Sequence, residues 1–207
     1  HEIFIVEMGA KQRGDIKEIC DLVSPEMGIV TSVGEMHLET FGTVEGVART
    51  KFELLEALPE GGFGIVNIDS EAAAAHLKGF ARNVATYGVE SVAAEYRATD
   101  VRYATSETSF AVRHGEHVDQ GYVTHLLGRG NILNLTAAIA VAEQLGVTTA
   151  EIKRAVRQIE QVEHRLSMRS VGGVTILDDA YNSNPTGAKM ALEVLSAFDT
   201  SGARYVV

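Results

Sequence analysis

Along the first seventy residues, short apolar runs alternate with stretches in which apolar positions recur every three or four residues. Phe4–Glu7, Gly28–Val33 and Gly64–Ile68 read as buried strands, Asp15–Val23 and Val44–Leu58 as helices. That β-α-β-α-β rhythm predicts an α/β fold, a mostly parallel sheet with helices on its faces. Residues 84 to 127 change character. Runs such as Tyr96–Tyr103 and Ser109–Val112, with the turn signal His114-Gly-Glu, predict antiparallel strands at one edge. Two helices follow: Asn131–Leu145, apolar nearly all round, and one running to about Glu160 that opens on a capping box of Thr148 and Glu151. The pattern then restarts with a strand at Val174–Asp178, a helix at Thr186–Phe198 and a strand at Arg204–Val207. A second α/β domain is therefore expected from residue 167, after a first over 1–166. Strand patterns at both extremes suggest an excerpt of a longer protein.

Composition narrows the class. At 207 residues and 45% hydrophobic content the chain can bury a core, and no apolar run approaches the length of a membrane helix. With neither such a span nor a signal peptide at the start, the expected location is the cytoplasm. The lone Cys20 fits a reducing compartment and reads as a buried structural thiol. A formal charge of -10 with no basic run argues against a nucleic-acid partner. A small anionic substrate stays open, because a few local cations or a metal can reverse the field in one cleft.

In open parallel sheets, ligands gather beyond the carboxyl ends of the strands. The first predicted strand closes on Glu7, and the second runs through Val33-Gly34 into Glu35-Met-His37. If the two are neighbours, an acid and an imidazole converge at one mouth, a pairing that suits a divalent cation such as magnesium. Lys51 interrupts the apolar stripe Val44, Ala48, Leu55, Leu58 of the next helix. An ammonium there is costly to desolvate; it snorkels to the helix edge, or its pKa falls and the amine can take up carbon dioxide as a carbamate, an anionic oxygen ligand. Asn131 and Asn134 lie three apart at the start of the buried helix, where their amides could pair with the edge of a base such as adenine; Asn131 alone could equally be an N-cap. The strand tip Asp178-Asp-Ala-Tyr-Asn-Ser-Asn-Pro185 carries unusual polar chemistry. Asn184 and Pro185 have a reason as N-cap and first helical residue; Asp179, Tyr181 and Asn182 have none. Arg165 lies just before that tip and could touch a phosphate.

Taken together, Glu7-Met-Gly9, Gly34-x-x-His37-Leu-Glu-x-Phe-Gly42, Val47-Ala-Arg-Thr-Lys51, Gly128-Arg-Gly-Asn131-x-x-Asn134 and Asp178-Asp-Ala-Tyr-Asn-Ser-Asn-Pro185 resemble the Mur ligases of peptidoglycan synthesis. The last element is most similar to the members that add D-alanyl-D-alanine. The resemblance implies a P-loop-NTPase-like central domain followed by the start of a Rossmann-like C-terminal domain. It implies ATP and magnesium as cofactors, and UDP-N-acetylmuramoyl-tripeptide and D-alanyl-D-alanine as substrates; a monomer is expected. By position it makes Glu7 and His37 magnesium ligands and Lys51 a carbamylated lysine. It puts Asn131 and Asn134 beside adenine, and Arg165 and Asp179 near the phosphates and ribose; Tyr181 and Asn182 are expected to bind ATP as well. The family often has His before the first Asn, where this chain has Gly130. No Gly-x-Gly-Lys-Thr phosphate loop occurs in these residues, so they are expected to hydrolyse no ATP by themselves. Other readings are another ligase of the superfamily, adding the third peptide residue or making folylpolyglutamate, and a non-catalytic nucleotide-binding relative.

Overall fold

A computed structural model describes residues 2–35, 38–104, 107–181, 185–198 and 202–207, leaving aside the side chains of 38, 185 and 186. The chain divides into two compact units, His1–Glu95 and Tyr96–Val207.

In the first unit the elements are α1 (Asp15–Val23), β1 (Met27–Val30), α2 (Leu38–Phe41), α3 (Val44–Ala57), β2 (Phe63–Asn67), α4 (Glu71–Leu77) and β3 (Ala85–Gly88). The strands pair in parallel, β1 with β2 and β2 with β3. Helix α3 starts where the Thr43 side chain accepts from Gly46 N at 3.1 Å. At its other end the Arg82 guanidinium donates to the carbonyls of Leu55 and Glu56, both at 2.8 Å, and of Pro59 at 3.2 Å, satisfying acceptors that the helix leaves open. The core joins Val30, Val47, Ala48, Phe52, Leu55, Val66 and Ala73. Phe52, 0% exposed, meets His76 and Phe80 edge-on with ring centroids 4.5 and 5.1 Å away. Phe52→Ala is therefore expected to cost about 3–5 kcal/mol, measured by urea unfolding, because the vacated space is walled by helix and sheet. Cys20 is buried on α1, and that burial pushes its thiol pKa up, as suits an inert structural group.

Three expectations in this unit are corrected. Phe4–Glu7 is no strand: its backbone joins no ladder among the described residues, and Ile3, Phe4 and Ile5 are exposed, Ile5 at 88%. An apolar run becomes a strand only where a neighbour pairs its N–H and C=O groups. The run expected over Gly28–Val33 leaves the sheet after Val30, the last residue in register with β2, opposite Val66. Finally, β3 lies parallel to β2 in a segment read as antiparallel, and α4 precedes it, a helix absent from the expected pattern.

The second unit opens with an antiparallel meander, β4 (Tyr96–Tyr103), β5 (Thr108–His114) and β6 (His117–Thr124). Helix α5 (Arg129–Gln144) buries Ile132, Leu135, Ala137, Ile139 and Ala140. Helix α6 (Thr149–Gln158) carries the full capping box of Thr148 and Glu151. β7 (Ser167–Val171) and β8 (Val174–Asp178) form an antiparallel hairpin, and α7 (Pro185–Ala197) follows. Val174–Asp178 is thus a strand as expected, but its partner is the strand before it, turned back through Gly172 and Gly173 at φ 56° and 80°. Arg204–Val207 is not a strand and is exposed; like Phe4–Glu7, it has the composition but, among the described residues, no ladder partner. Asn131 is not the N-cap of its helix. Gly128 is, at φ 84°, and Asn131 lies one turn in.

Candidate functional site

The carboxyl ends of β1 and β2 carry a dense polar arrangement. Where the chain leaves β1, three successive residues are each held by a side chain from another element. Asn67 Nδ2 donates to Thr31 O at 2.7 Å, Lys51 Nζ to Ser32 O at 2.9 Å, and Ser70 Oγ to Val33 O at 3.0 Å while accepting from Val33 N at 3.0 Å. Beyond Ser70, the Asp69 carboxylate receives the N–H groups of Val89, Glu90 and Ser91 at 2.8, 3.0 and 2.8 Å and so pins the loop after β3.

Lys51 is half-buried, beside the buried Val47, Ala48 and Leu55 of its own helix. Desolvation lowers the pKa of its amine, because burial penalises the charged form. Glu7 is exposed at the end of the segment that forms no strand, and His37 lies outside the described residues. Among the described residues, no three His, Cys, Asp or Glu side chains gather to hold a metal ion. A protonated lysine offers a cation no lone pair, so Lys51 in that form does not fit a metal; as a carbamate it would present hard oxygens.

A second cluster lies within the other unit, where residues 164–166 meet the end of β8. His164 Nδ1 donates to Asp178 Oδ2 at 2.9 Å, Leu166 N to Asp179 Oδ1 at 3.0 Å, and Tyr181 N to His164 O at 3.1 Å. The Arg165 guanidinium lies over the Tyr181 ring, 4.0 Å from its centroid, and both residues are exposed. His164 and Leu166 take φ of 62° and 50°, a left-handed conformation that costs a bulky residue energy and persists only where its surroundings fix it. Leu166 also packs on Gly128, joining this clasp to the start of α5. There Asn131 Nδ2 donates back to Leu127 O at 2.7 Å and Asn134 is exposed. So Arg165, Asp179 and Tyr181 come together, Asn131 and Asn134 share the start of one helix, and Asn182 lies outside the described residues.

The His164 bond, followed by the Ala180 N–H, lowers the pKa of Asp178 below the ordinary aspartate value of 3.8. Because the folded value is the depressed one, the stabilisation is present above the ordinary value and is lost as pH falls through the folded one. Carboxyl NMR is expected to find the Asp178 midpoint below 3.8, and His164→Ala to move it back up; a midpoint unmoved by that change would remove the clasp as its cause.

Sequence reasoning missed Asn67, Asp69, Ser70 and His164. The first three were within reach, since Asn67 closes β2 and Asp69 and Ser70 follow in the turn before α4, at the strand end where ligands gather. Nothing in the sequence marks His164, whose role comes from its backbone angle.

Residues 1–142 match the family of the Mur ligase middle domain. The chain is 27% identical over 207 residues to UDP-N-acetylmuramoyl-tripeptide--D-alanyl-D-alanine ligase of Bacillus subtilis, a match covering 100% of this chain and 44% of that protein. Against the enzyme of the same name from Escherichia coli the identity is 30% over 201 residues, covering 95% and 44%. The crystal structure of MurF ligase from Thermotoga maritima in complex with ADP superposes with a TM-score of 0.80 at 26% identity, covering 93% of this chain and 44% of that one. The chain thus spans less than half the length of these relatives.

Proposed function

Because this chain belongs to the Mur ligase family, through a middle domain matched over residues 1–142, we propose that it is the later part of the central domain of an ATP-dependent ligase of peptidoglycan precursor synthesis. From about residue 167 it enters the C-terminal domain of that enzyme. The ligase joins D-alanyl-D-alanine to UDP-N-acetylmuramoyl-tripeptide, as the names of its relatives suggest, and acts as a cytoplasmic monomer. No helix among the described residues is long and apolar enough to cross a membrane.

The observation that carries this reading is the desolvated amine of Lys51 at the carboxyl end of a parallel strand, where such sheets collect ligands. A neutral amine there attacks carbon dioxide; a C–N bond forms, a proton leaves to solvent, and a carbamate results. With Glu7 and His37 that carbamate would hold magnesium, which supplies neutralisation of charge shared between nucleotide and acceptor. At the other cluster, the Asn131 and Asn134 amides face adenine, Arg165 the phosphates and Asp179 the ribose, with Tyr181 and Asn182 beside them. A carboxylate already accepting from Leu166 N can still accept from a ribose hydroxyl.

The reaction has two steps. The terminal carboxylate of the tripeptide takes the γ-phosphoryl group of ATP and ADP departs. The amine of D-alanyl-D-alanine then attacks the acyl carbon, loses a proton, and phosphate leaves from the tetrahedral intermediate. The test is phosphate release by the longest natural protein that contains this chain, given ATP, UDP-N-acetylmuramoyl-tripeptide and one amine at a time. Turnover is expected with D-alanyl-D-alanine and not with a diamino acid or glutamate. Turnover with either of the latter alone assigns a different ligase, and none with any amine sinks the enzymatic reading.

A further inference from the structure

Ser70 stands where a helix normally takes its cap. It is the N-cap residue of α4, with extended φ and ψ of -79° and 105°, and serine is a favoured residue there because its hydroxyl can accept from the exposed N–H groups of the first turn. Here the hydroxyl makes no cap bond. It is turned to the neighbouring strand exit, bonding both the N–H and the C=O of Val33. Asn67 behaves likewise. It is a polar residue only 5% exposed at the end of β2; its amide donates to Thr31 O, and its Oδ1 accepts from Asp69 N at 2.9 Å, which stiffens the turn that carries Ser70. Capping of α4 is given up, and a buried amide is kept, to fix a short exit loop in which only Val33 is buried. Between the two anchored residues lies Ser32, whose carbonyl receives Lys51 Nζ.

We propose that Asn67 and Ser70 are positioning residues for Lys51, holding the Thr31–Val33 backbone on both sides of the Ser32 carbonyl so that the amine is kept at one place on the rim. The proposal rests on the reading of Lys51 as a functional amine. Without the two anchors, Ser32 O is a carbonyl on a free loop, and a long side chain with several rotatable bonds regains its rotamers.

The experiment is NMR relaxation of selectively labelled lysine Cε methylenes in the 207-residue chain, without metal or nucleotide. In the unaltered chain, Lys51 is expected to have a much higher order parameter than the exposed Lys78. Ser70→Ala should lower the Lys51 value by about half, toward the range of flexible groups, whereas Ser70→Thr keeps the hydroxyl and should keep the order. Asn67→Asp, which removes the donor to Thr31 but retains the acceptor for Asp69, should act like Ser70→Ala. The methyls of Ile65, buried in β2, report general loosening. Lys51 falling while Ile65 holds supports the proposal. Lys51 unchanged, or Lys51 and Ile65 falling together, as they would on unfolding, overturns it. Because no ligand or turnover enters the measurement, failure of the amine-acceptor assay leaves this result standing, and the reverse also holds.

Discussion

Replacing Lys51 with alanine is expected to lower ligase turnover by about a hundred- to a thousand-fold, the scale on which a preorganised charged group at a phosphoryl-transfer site acts. The fold should survive, because the residue is only half-buried and, among the described residues, its amine holds the Ser32 carbonyl alone. If the working group is a carbamate, short carboxylic acids such as acetate should restore part of the activity by supplying the missing oxygens. Lys51→Arg sharpens the comparison. It can keep the positive charge and a donor to Ser32 O, yet a guanidinium is never deprotonated in proteins and cannot add carbon dioxide. It is therefore expected to be as inactive as alanine. A working Lys51→Arg enzyme would assign the residue to plain charge, and an unaffected Lys51→Ala enzyme would take it out of the site. The lowered amine pKa gives a sign for pH as well: the neutral form that reacts is present at lower pH than for an ordinary lysine, so dependence on bicarbonate should grow as pH rises and vanish on acidification.

The second large effect concerns Gly128. A residue there must adopt φ 84° and ψ 153°, a region in effect reserved for glycine, and an added Cβ would lie 2.5 Å from Leu166 Cδ2 and 3.2 Å from Val194 Cγ2. Backbone strain and overpacking each contribute on the order of 1–3 kcal/mol, so Gly128→Ala should lose about 2–6 kcal/mol in urea unfolding. Gly130 is the internal control. A Cβ there meets only Met190, at an ordinary 3.6 Å, and within a helix alanine is favoured over glycine by about 0.5–1 kcal/mol, so Gly130→Ala should be neutral or stabilising. Equal stabilities for the two variants would contradict the role given to the Leu166 contact. The change also reaches the second cluster. Leu166 packs on Gly128 and gives its N–H to Asp179, so displacing it should raise the KM for ATP more than it lowers kcat if Arg165, Asp179 and Tyr181 serve the nucleotide.

How legible each part was follows from how local its cause is. Helices α1, α3 and α6 follow from periodicity and caps, as with Thr148 and Glu151, whose reciprocal bonds span three residues and need no partner from elsewhere. Lys51 could be singled out because a cation within an apolar stripe is a local contradiction. Helix α4 could have been found from the run of alanines after Ser70. By contrast, β7 is a polar five-residue strand whose existence depends on β8, and β3 is too short for alternation to reveal which neighbour it takes.

What the sequence by itself determined here is composition and period: where helices run, where apolar segments lie, which residues bear chemistry, and through ordered motifs the family. Only the tertiary structure decided whether Phe4–Glu7 and Arg204–Val207 are strands, that Ser70 turns from its own helix to Val33, and that His164 and Leu166 take left-handed angles to clasp Asp178 and Asp179. The physical reason is the range of the interactions. Periodicity and capping are set by groups within a few residues of one another, whereas a ladder partner, a diverted hydroxyl or a strained turn depends on atoms that folding alone brings near.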